Sequence, residues 1–578
     1  MVDNNQDSKN PNEITNPQVQ LEIDSMVEEY EIELRRELDL SKSRTYKIIE
    51  QKKKTFRQKL IENELEDIRR SVNDIREEEK SIIGINFWAS LIITFIVIVF
   101  AVLAGDKLIH LADDISAFIA YNLSWFYVLL ASSFLIFLIF LASSRFGSVV
   151  LGAPDQRPEF SNFSWYSMLF SAGMGVGILF YGTAEPTHHF LKPPLADPGS
   201  IEAAKEAISL TAFHWGFHAW GIYTICALGT AYYGFRKRKK YLISSSVLNF
   251  TSNKSTGKIL KSIIDLVSIL AVIFGVSASI GLGVIQISQG LDYVFDWDTS
   301  NFFGYACITI LITVIFIISS STGLDKGIKI LSNANMIVAI ALLLFVFLAG
   351  SSLFDTKVFV DSIGQYIQKL PEFSFKVDPY EPQYERWMGD WTLTYFTWWI
   401  AWSPFVGIFI ARISKGRTVR ELIVGCLLIP TLFSIFWFSV FGGNAIELEL
   451  FTNTTIGSEI LDNVSLGTFL LFEQLPFSSI TSTIAIILLF TFLITSADSA
   501  TYVISMMTSE GDLDPKLRLK VTWGIVLSVL CIILLAGGGL KALQAATLIF
   551  AFPFAIVLIM IARSLYFRLS IQVKKKRS

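Results

Sequence analysis

Apolar residues along this chain gather into long runs separated by short polar segments. About twelve runs of roughly 20 residues, the length that crosses about 30 Å of hydrocarbon as a helix, cover 84–106, 123–144, 163–184, 207–234, 263–289, 302–321, 328–350, 391–413, 421–443, 479–505, 519–539 and 542–563. The pattern predicts an all-α integral membrane protein. Two segments break it. Residues 351–390 mix apolar and charged positions (KVFVDSIGQYIQKL), which predicts an amphipathic helix lying at the outer surface. Residues 1–80 are polar and rich in helix formers, with acidic, basic and mixed blocks in succession. Within them Ile61, Leu65, Ile68, Val72 and Ile75 keep a heptad spacing. This region is predicted to be a charged, solvated helical extension; the alternative is a helix that touches anionic lipid, the basic tail or a neighbouring subunit and so responds to ionic strength.

Composition agrees with the membrane reading. Of 578 residues 52% are hydrophobic and 17% charged. Residues 1–80 hold 20 acidic and 15 basic side chains, leaving 31 and 33 for the other 498 residues, a body too apolar for an ordinary soluble domain. Lysine and arginine then orient it, because short cytoplasmic loops are enriched in them. FRKRKKYL (235–242), ARISKGRTVRE (411–421) and the terminal KKKRS fall on one side, whereas 290–301 and 444–478, the latter without lysine or arginine, fall on the other. Both termini are therefore expected to be cytoplasmic in a multi-pass protein of the plasma membrane. No signal peptide is expected, since the first apolar run begins only near Ile83. Cys226, Cys307, Cys426 and Cys531 all fall in predicted crossings, as packing residues rather than a disulfide framework. No nucleotide-binding loop, nucleophile elbow or HExxH occurs, so an ATP-driven pump, a hydrolase and nucleic-acid binding are not indicated.

The candidate chemistry is aromatic. WTLTYFTWWIAWSPF (391–405) places four tryptophans in fifteen positions. Trp391, Trp88 and Trp125 suit an interfacial belt; Trp402 does not, standing about 16 Å of helix rise beyond Trp391. Trp398, Trp402, Phe405 and Phe409 fall at i, i+4, i+7 and i+11 on one face, with Trp399 turned about 100° aside. A second set, Trp215, Trp220 and Tyr223 in FHWGFHAWGIY, spans a sector of about 140° on another helix. Two such sets either pack as core or face each other as a box. Aromatic faces attract cations whose charge is spread over methyl groups, at about 2 kcal/mol per desolvated contact, so a box suits a quaternary ammonium without any carboxylate.

The segment SAGMGVGILFYGTAEP (171–186) carries Gly173, Gly175, Gly177 and Gly182, each costing about 1 kcal/mol in a helix relative to alanine. Close helix packing is one use of small residues. The other is an unwound stretch lining a cavity, whose free N–H groups receive an anion and whose carbonyls coordinate sodium. A cation box beside an anion-accepting break describes a zwitterion site. Three polar features take simpler readings. His214 and His218 have a metal-compatible spacing, but no third ligand is evident; Asp498 holds its helix beside an ion site; Glu185 caps the end of the third crossing.

GMGVG with FYGTAEP, FHWGFHAW with Tyr223, WWIAWSPFVGIFIARISKGRTVRE and TSADS (495–499) together resemble the betaine/carnitine/choline transporter family, in consistent order over roughly 84–565. The resemblance implies a homotrimer of twelve-helix subunits with a LeuT-like 5+5 inverted repeat. Residues 84–162 would hold the first two helices, 163–350 and 391–563 the two repeats, and 564–578 a basic cytoplasmic tail. It further implies alternating access by secondary transport, with no enzymatic activity and no cofactor, the coupling ion being Na+. Trp215, Trp220, Tyr223 and Trp399 match the family's aromatic box, and Trp398, Trp402 and Phe409 its cytoplasmic-side path, with Gly173, Gly175 and Gly177 at the substrate. Ser171, Met174, Thr495 and Ser496 match a sodium site, with Phe405 a further candidate. Proton-coupled choline members carry aspartate where this chain has Gly177, which disfavours proton coupling. Val272 and Val276 stand where sodium-coupled betaine members carry threonines for a second sodium, and valine offers no side-chain oxygen, although Ser277 is close by. The expected function is sodium-coupled import of glycine betaine or a similar osmolyte. A sodium-independent exchanger of carnitine-like compounds, and a membrane sensor for such ligands, are the alternatives.

Overall fold

The computed structural model describes residues 27–28, 49–58 and 84–575 apart from 106, 174, 248–253, 322, 323 and 453, with the backbone alone at 170–173, 254, 320, 321, 324–330, 574 and 575. The chain divides into two units, Met1–Ile83 and Gly84–Ser578. In the first, residues 49–58 are helical; the heptad positions from Ile61 to Ile75 lie outside the described residues.

In the second unit, the extended pairing among the described residues is one isolated antiparallel bridge, Val150–Thr418. Helices satisfy their own backbone groups, which a bilayer cannot do for them. The order is α1 (Ile85–Ala104), α2 (Lys107–Ser143), α3 (Asn162–Gly173), α4 (Gly177–Leu191), α5 (Ile201–Trp215), α6 (Phe217–Ala231), α7 (Lys254–Phe295), α8 (Phe302–Ser321) and α9 (Leu324–Ala349). There follow α10 (Ser352–Phe373), then α11 (Pro382–Met388), which passes through a π-helical turn at Gly389–Leu393 into α12 (Thr394–Ile413). The chain ends with α13 (Val419–Phe451), the short α14 (Ile456–Asp462) and α15 (Gly467–Glu473), α16 (Ser478–Thr508) and α17 (Leu517–Lys575).

Among the described residues, nine helices are long and apolar enough to cross a membrane. The count of apolar runs is larger for two reasons. Gly539, at φ 58° and ψ −147°, divides α17 into two arms that match the last two runs. The runs at 163–184 and 207–234 each fold as a broken pair, α3 with α4 and α5 with α6, whose members are individually too short to span. Every run thus has a helical counterpart.

The second break was not expected. FHWGFHAWGIY reads as one continuous helix, yet Gly216 leaves the helical region at φ −97° and ψ −131°. A Cβ there would meet the Tyr366 hydroxyl of α10 at 2.8 Å, and the Phe217 N–H freed by the break donates to that hydroxyl at 3.0 Å.

Burial separates the rim from the centre. The most apolar stretch of α1 is 22% buried, whereas those of α7 and α12 are 83% and 89% buried. Ile92, Phe95 and Leu103 on α1 and Ile310 and Leu311 on α8 face outward, as lipid-facing residues do. Cys307 on α8 belongs to that exposed surface, unlike the buried Cys226, Cys426 and Cys531, so its expected packing role does not hold.

Candidate functional site

The site forms where α12 passes the break between α3 and α4. Four indoles meet there, each N–H held by a partner on another element. Trp398 Nε1 donates to Ser279 Oγ at 2.8 Å and Trp402 Nε1 to the Gly275 carbonyl at 3.0 Å, both on α7. Trp399 Nε1 donates to the His214 carbonyl at 2.8 Å, one of the carbonyls that the end of α5 leaves without a helical partner. Trp215 Nε1 donates to Glu185 Oε2 at 2.8 Å. With polar edges fixed, the faces are fixed too. Trp398 and Trp399 stack at 4.9 Å and 12°, and Trp215 stands edge-on to both, at 6.2 and 5.0 Å.

Trp398, Trp399 and Trp402 line a narrow cavity of about 10 Å³ together with Val176, Gly177, Val276, Ser279, Phe405 and Ser496, room for about one water, and Trp215 packs behind Trp398 and Trp399. No ionisable side chain lines it among the described residues. The break supplies one wall. α3 ends at Gly173, Gly175 adopts φ +43°, and α4 begins at Gly177. A Cβ on Gly175 would lie 3.6 Å from Ser496 Oγ and 3.9 Å from the Trp402 ring, and one on Gly177 would lie 2.7 and 2.9 Å from the Trp215 and Trp398 rings. Only a residue without a side chain lets two indoles approach the backbone there.

The two aromatic sets meet differently from two continuous helices. Trp215 ends α5, whereas Trp220 and Tyr223 lie on α6 beyond the Gly216 break. Tyr223 contacts Trp399 edge-on at 6.0 Å and Trp220 contacts Tyr223 at 5.8 Å, both behind Trp399 rather than on the cavity. Phe409 is half-buried, one turn beyond Phe405.

Of the residues expected at a sodium site, Met174 and the side chain of Ser171 lie outside the described residues. Thr495 Oγ1 is bonded to the carbonyls of Thr491 and Phe492 at 3.1 and 3.0 Å and accepts from Asn335 Nδ2 at 3.5 Å. Val272 and Val276 are buried on α7, and Ser277 Oγ beside them is buried with no hydrogen-bond partner among the described residues. Asp498 accepts from Ser319 Oγ at 3.1 Å.

Two residues of the site were missed. Tyr181 and Tyr395 form the roof, 5.3 Å apart and each within 6.4 Å of Trp398. Tyr395 stands one turn before Trp399, so the helical spacing carried the signal. Above the roof opens a cavity of about 890 Å³ lined by His188, Lys192, Arg386, Trp391, Tyr395 and others. A smaller one of about 20 Å³, lined by Tyr181, Thr394, Trp398 and Gln544, lies between it and the aromatic compartment.

The polar residues also differ from the simple readings. Glu185 is no terminal cap. It is fully buried and accepts from Trp215, Tyr395, His214 and His189. His214 and His218 do not share a partner: His214 Nδ1 meets Glu185 Oε1 at 2.6 Å, and His218 Nε2 meets Ser132 and Ser374 at 3.3 and 3.1 Å. Contrary to expectation, His214 has two potential co-ligands, Glu185 and His189, within 4.8 Å.

Comparison with known proteins bears on this arrangement. Residues 85–574 match the model of the BCCT family, the betaine/carnitine/choline family of transporters. The glycine betaine transporter OpuD of Bacillus subtilis is 42% identical over 84% of this chain and 94% of its own length. An ectoine/hydroxyectoine transporter of Virgibacillus pantothenticus is 38% identical over 85% of this chain and 97% of its own. A probable glycine betaine transporter of Desulfitobacterium hafniense is 37% identical over 82% and 95%.

Proposed function

The chain belongs to the betaine/carnitine/choline family of transporters, and from that premise we propose that it imports glycine betaine, or a closely related quaternary-ammonium osmolyte, by sodium symport. The observation that carries this is the aromatic compartment: indole faces fixed by their own N–H bonds, against a helix break, with no carboxylate on the cavity. Such a compartment attracts a methylated ammonium by its ring faces while rejecting small hydrated cations, which a carboxylate would also bind. The free backbone of the break is suited to the substrate's carboxylate. The large cavity above Tyr181 and Tyr395 serves as outer vestibule, and closure of that roof against opening on the opposite side gives alternating access. The remaining reading follows the family resemblance: two inverted repeats, both termini in the cytoplasm, a homotrimer in the plasma membrane, and an osmoprotective role.

Sodium occupies the junction of the break with Thr495 and Ser496. Val272 and Val276 favour one sodium per substrate over two, and they are also the observation that favours a second reading, sodium-independent exchange of carnitine-like compounds.

The deciding experiment is uptake of radiolabelled glycine betaine into proteoliposomes with and without an inward sodium gradient, beside Trp399→Ala. Sodium-dependent accumulation in the native protein supports symport. Flux that ignores sodium and requires a counter-substrate inside supports the exchanger. Saturable binding without flux under either condition sinks both. Loss of one cation–π contact of about 2 kcal/mol predicts a KM at least tenfold higher in the variant.

A further inference from the structure

Glu185 lies outside the cavity, yet it holds two rings packed against Trp398 and Trp399, the indoles that line it. Its Oε2 accepts from Trp215 Nε1 at 2.8 Å and from the Tyr395 hydroxyl. Its Oε1 accepts from His214 Nδ1 at 2.6 Å and His189 Nε2 at 3.3 Å. A carboxylate offers about four hydrogen-bonding positions, and four partners among the described residues occupy them, from α4 itself, α5 and α12. The His214 tautomer fits: with Nδ1 donating to Glu185, Nε2 accepts from Thr392 Oγ1 at 3.0 Å.

Tyr395 is the plate between vestibule and compartment. It lines the outer cavity and lies nearly parallel to His214, Trp398 and Trp399, at 23°, 23° and 21°. Trp215 stands edge-on behind Trp398 and Trp399 and supports that wall. Both are tied to one carboxylate on the helix that resumes after the break, so a movement of α4 is carried to roof and wall together.

We propose that Glu185 is the positioning residue of the aromatic compartment, setting Tyr395 and Trp215 in the relation that accepts the substrate. Glutamine is nearly isosteric but keeps one acceptor oxygen, so one of its ends must present an NH2 to donors that need an acceptor. A buried donor left unsatisfied is costly, and the ring it belongs to then leaves its place.

The proposal rests on reading the compartment as the substrate site, and the test separates the two. Radiolabelled glycine betaine uptake is measured in proteoliposomes for the native chain, Glu185→Gln, Tyr395→Phe and the double variant, with the melting temperature of each. Each single change is expected to raise KM about tenfold with at most a twofold fall in kcat. The double variant should be no worse than Glu185→Gln alone, because both changes break the same bond. KM effects that multiply independently, or a fall in melting temperature with KM unmoved, overturn the proposal. If Glu185→Gln does not fold, the cycle of Tyr395→Phe with Trp215→Phe replaces it, since both rings donate to Oε2: coupled KM effects support the proposal and independent ones overturn it. A native protein that transports no betaine overturns the functional reading and this inference with it.

Discussion

At the residue scale, the site depends as much on absent side chains as on present ones. Gly177 lets Trp215 and Trp398 rest against backbone, with an added Cβ 2.7 and 2.9 Å from their rings. Overpacking of this kind costs roughly 1–3 kcal/mol, so Gly177→Ala is expected to raise the betaine KM by about tenfold or more, measured by uptake in proteoliposomes; an unchanged KM would show that the rings move aside freely. The same contacts explain why an aspartate at this position, as the family's proton-coupled choline members carry, does not suit this arrangement of rings. The glycines were legible in the sequence because their helix cost is local. What they made room for was not, because two of the rings come from residues 38 and 221 positions farther along the chain.

At the element scale, α10 is fastened to α13 by buried polar groups. Asp355 is buried on α10 and accepts from Asn444 Nδ2 of α13 at 2.9 and 2.8 Å, while Asn444 Oδ1 accepts from the Ser351 N–H at 3.1 Å. Burial pushes the Asp355 carboxyl up to about 8, with Glu447 adding to the rise and the Asn444 amide opposing it. The unfolded carboxyl titrates near 4. Between about pH 4 and 8 the folded state therefore holds more protons than the unfolded one, and stability falls as pH rises through that window. Melting temperature against pH should show this decline, and Asp355→Asn should flatten it; an identical slope in the variant would remove Asp355 from the titration. The amphipathic pattern of KVFVDSIGQYIQKL announced a helix, but not that Asp355, two residues before that stretch, would be turned inward.

At the scale of the whole molecule, the proposed sodium coupling depends on how α7 meets the site. Val276 lines the compartment and Val272 is buried one turn away, so initial betaine uptake against sodium concentration should follow a Hill coefficient of about one. A coefficient near two would require oxygen ligands for a second ion from elsewhere, with the buried Ser277 Oγ a candidate. The sequence by itself determined the membrane class, the places of the apolar runs, the helix cost of the glycines at GMGVG and the aromatic stripe on α12. Each of these is a local property: run length, glycine cost, and the 3.6-residue repeat. Tertiary structure alone decided that FHWGFHAWGIY breaks at Gly216, which packs Trp215 against both Trp398 and Trp399 and leaves Trp220 and Tyr223 behind Trp399. It alone gathered Glu185, His189, His214, Trp215 and Tyr395 into one hydrogen-bonded cluster. Buried polar groups must find partners wherever packing brings them, and packing joins residues that sequence spacing keeps far apart.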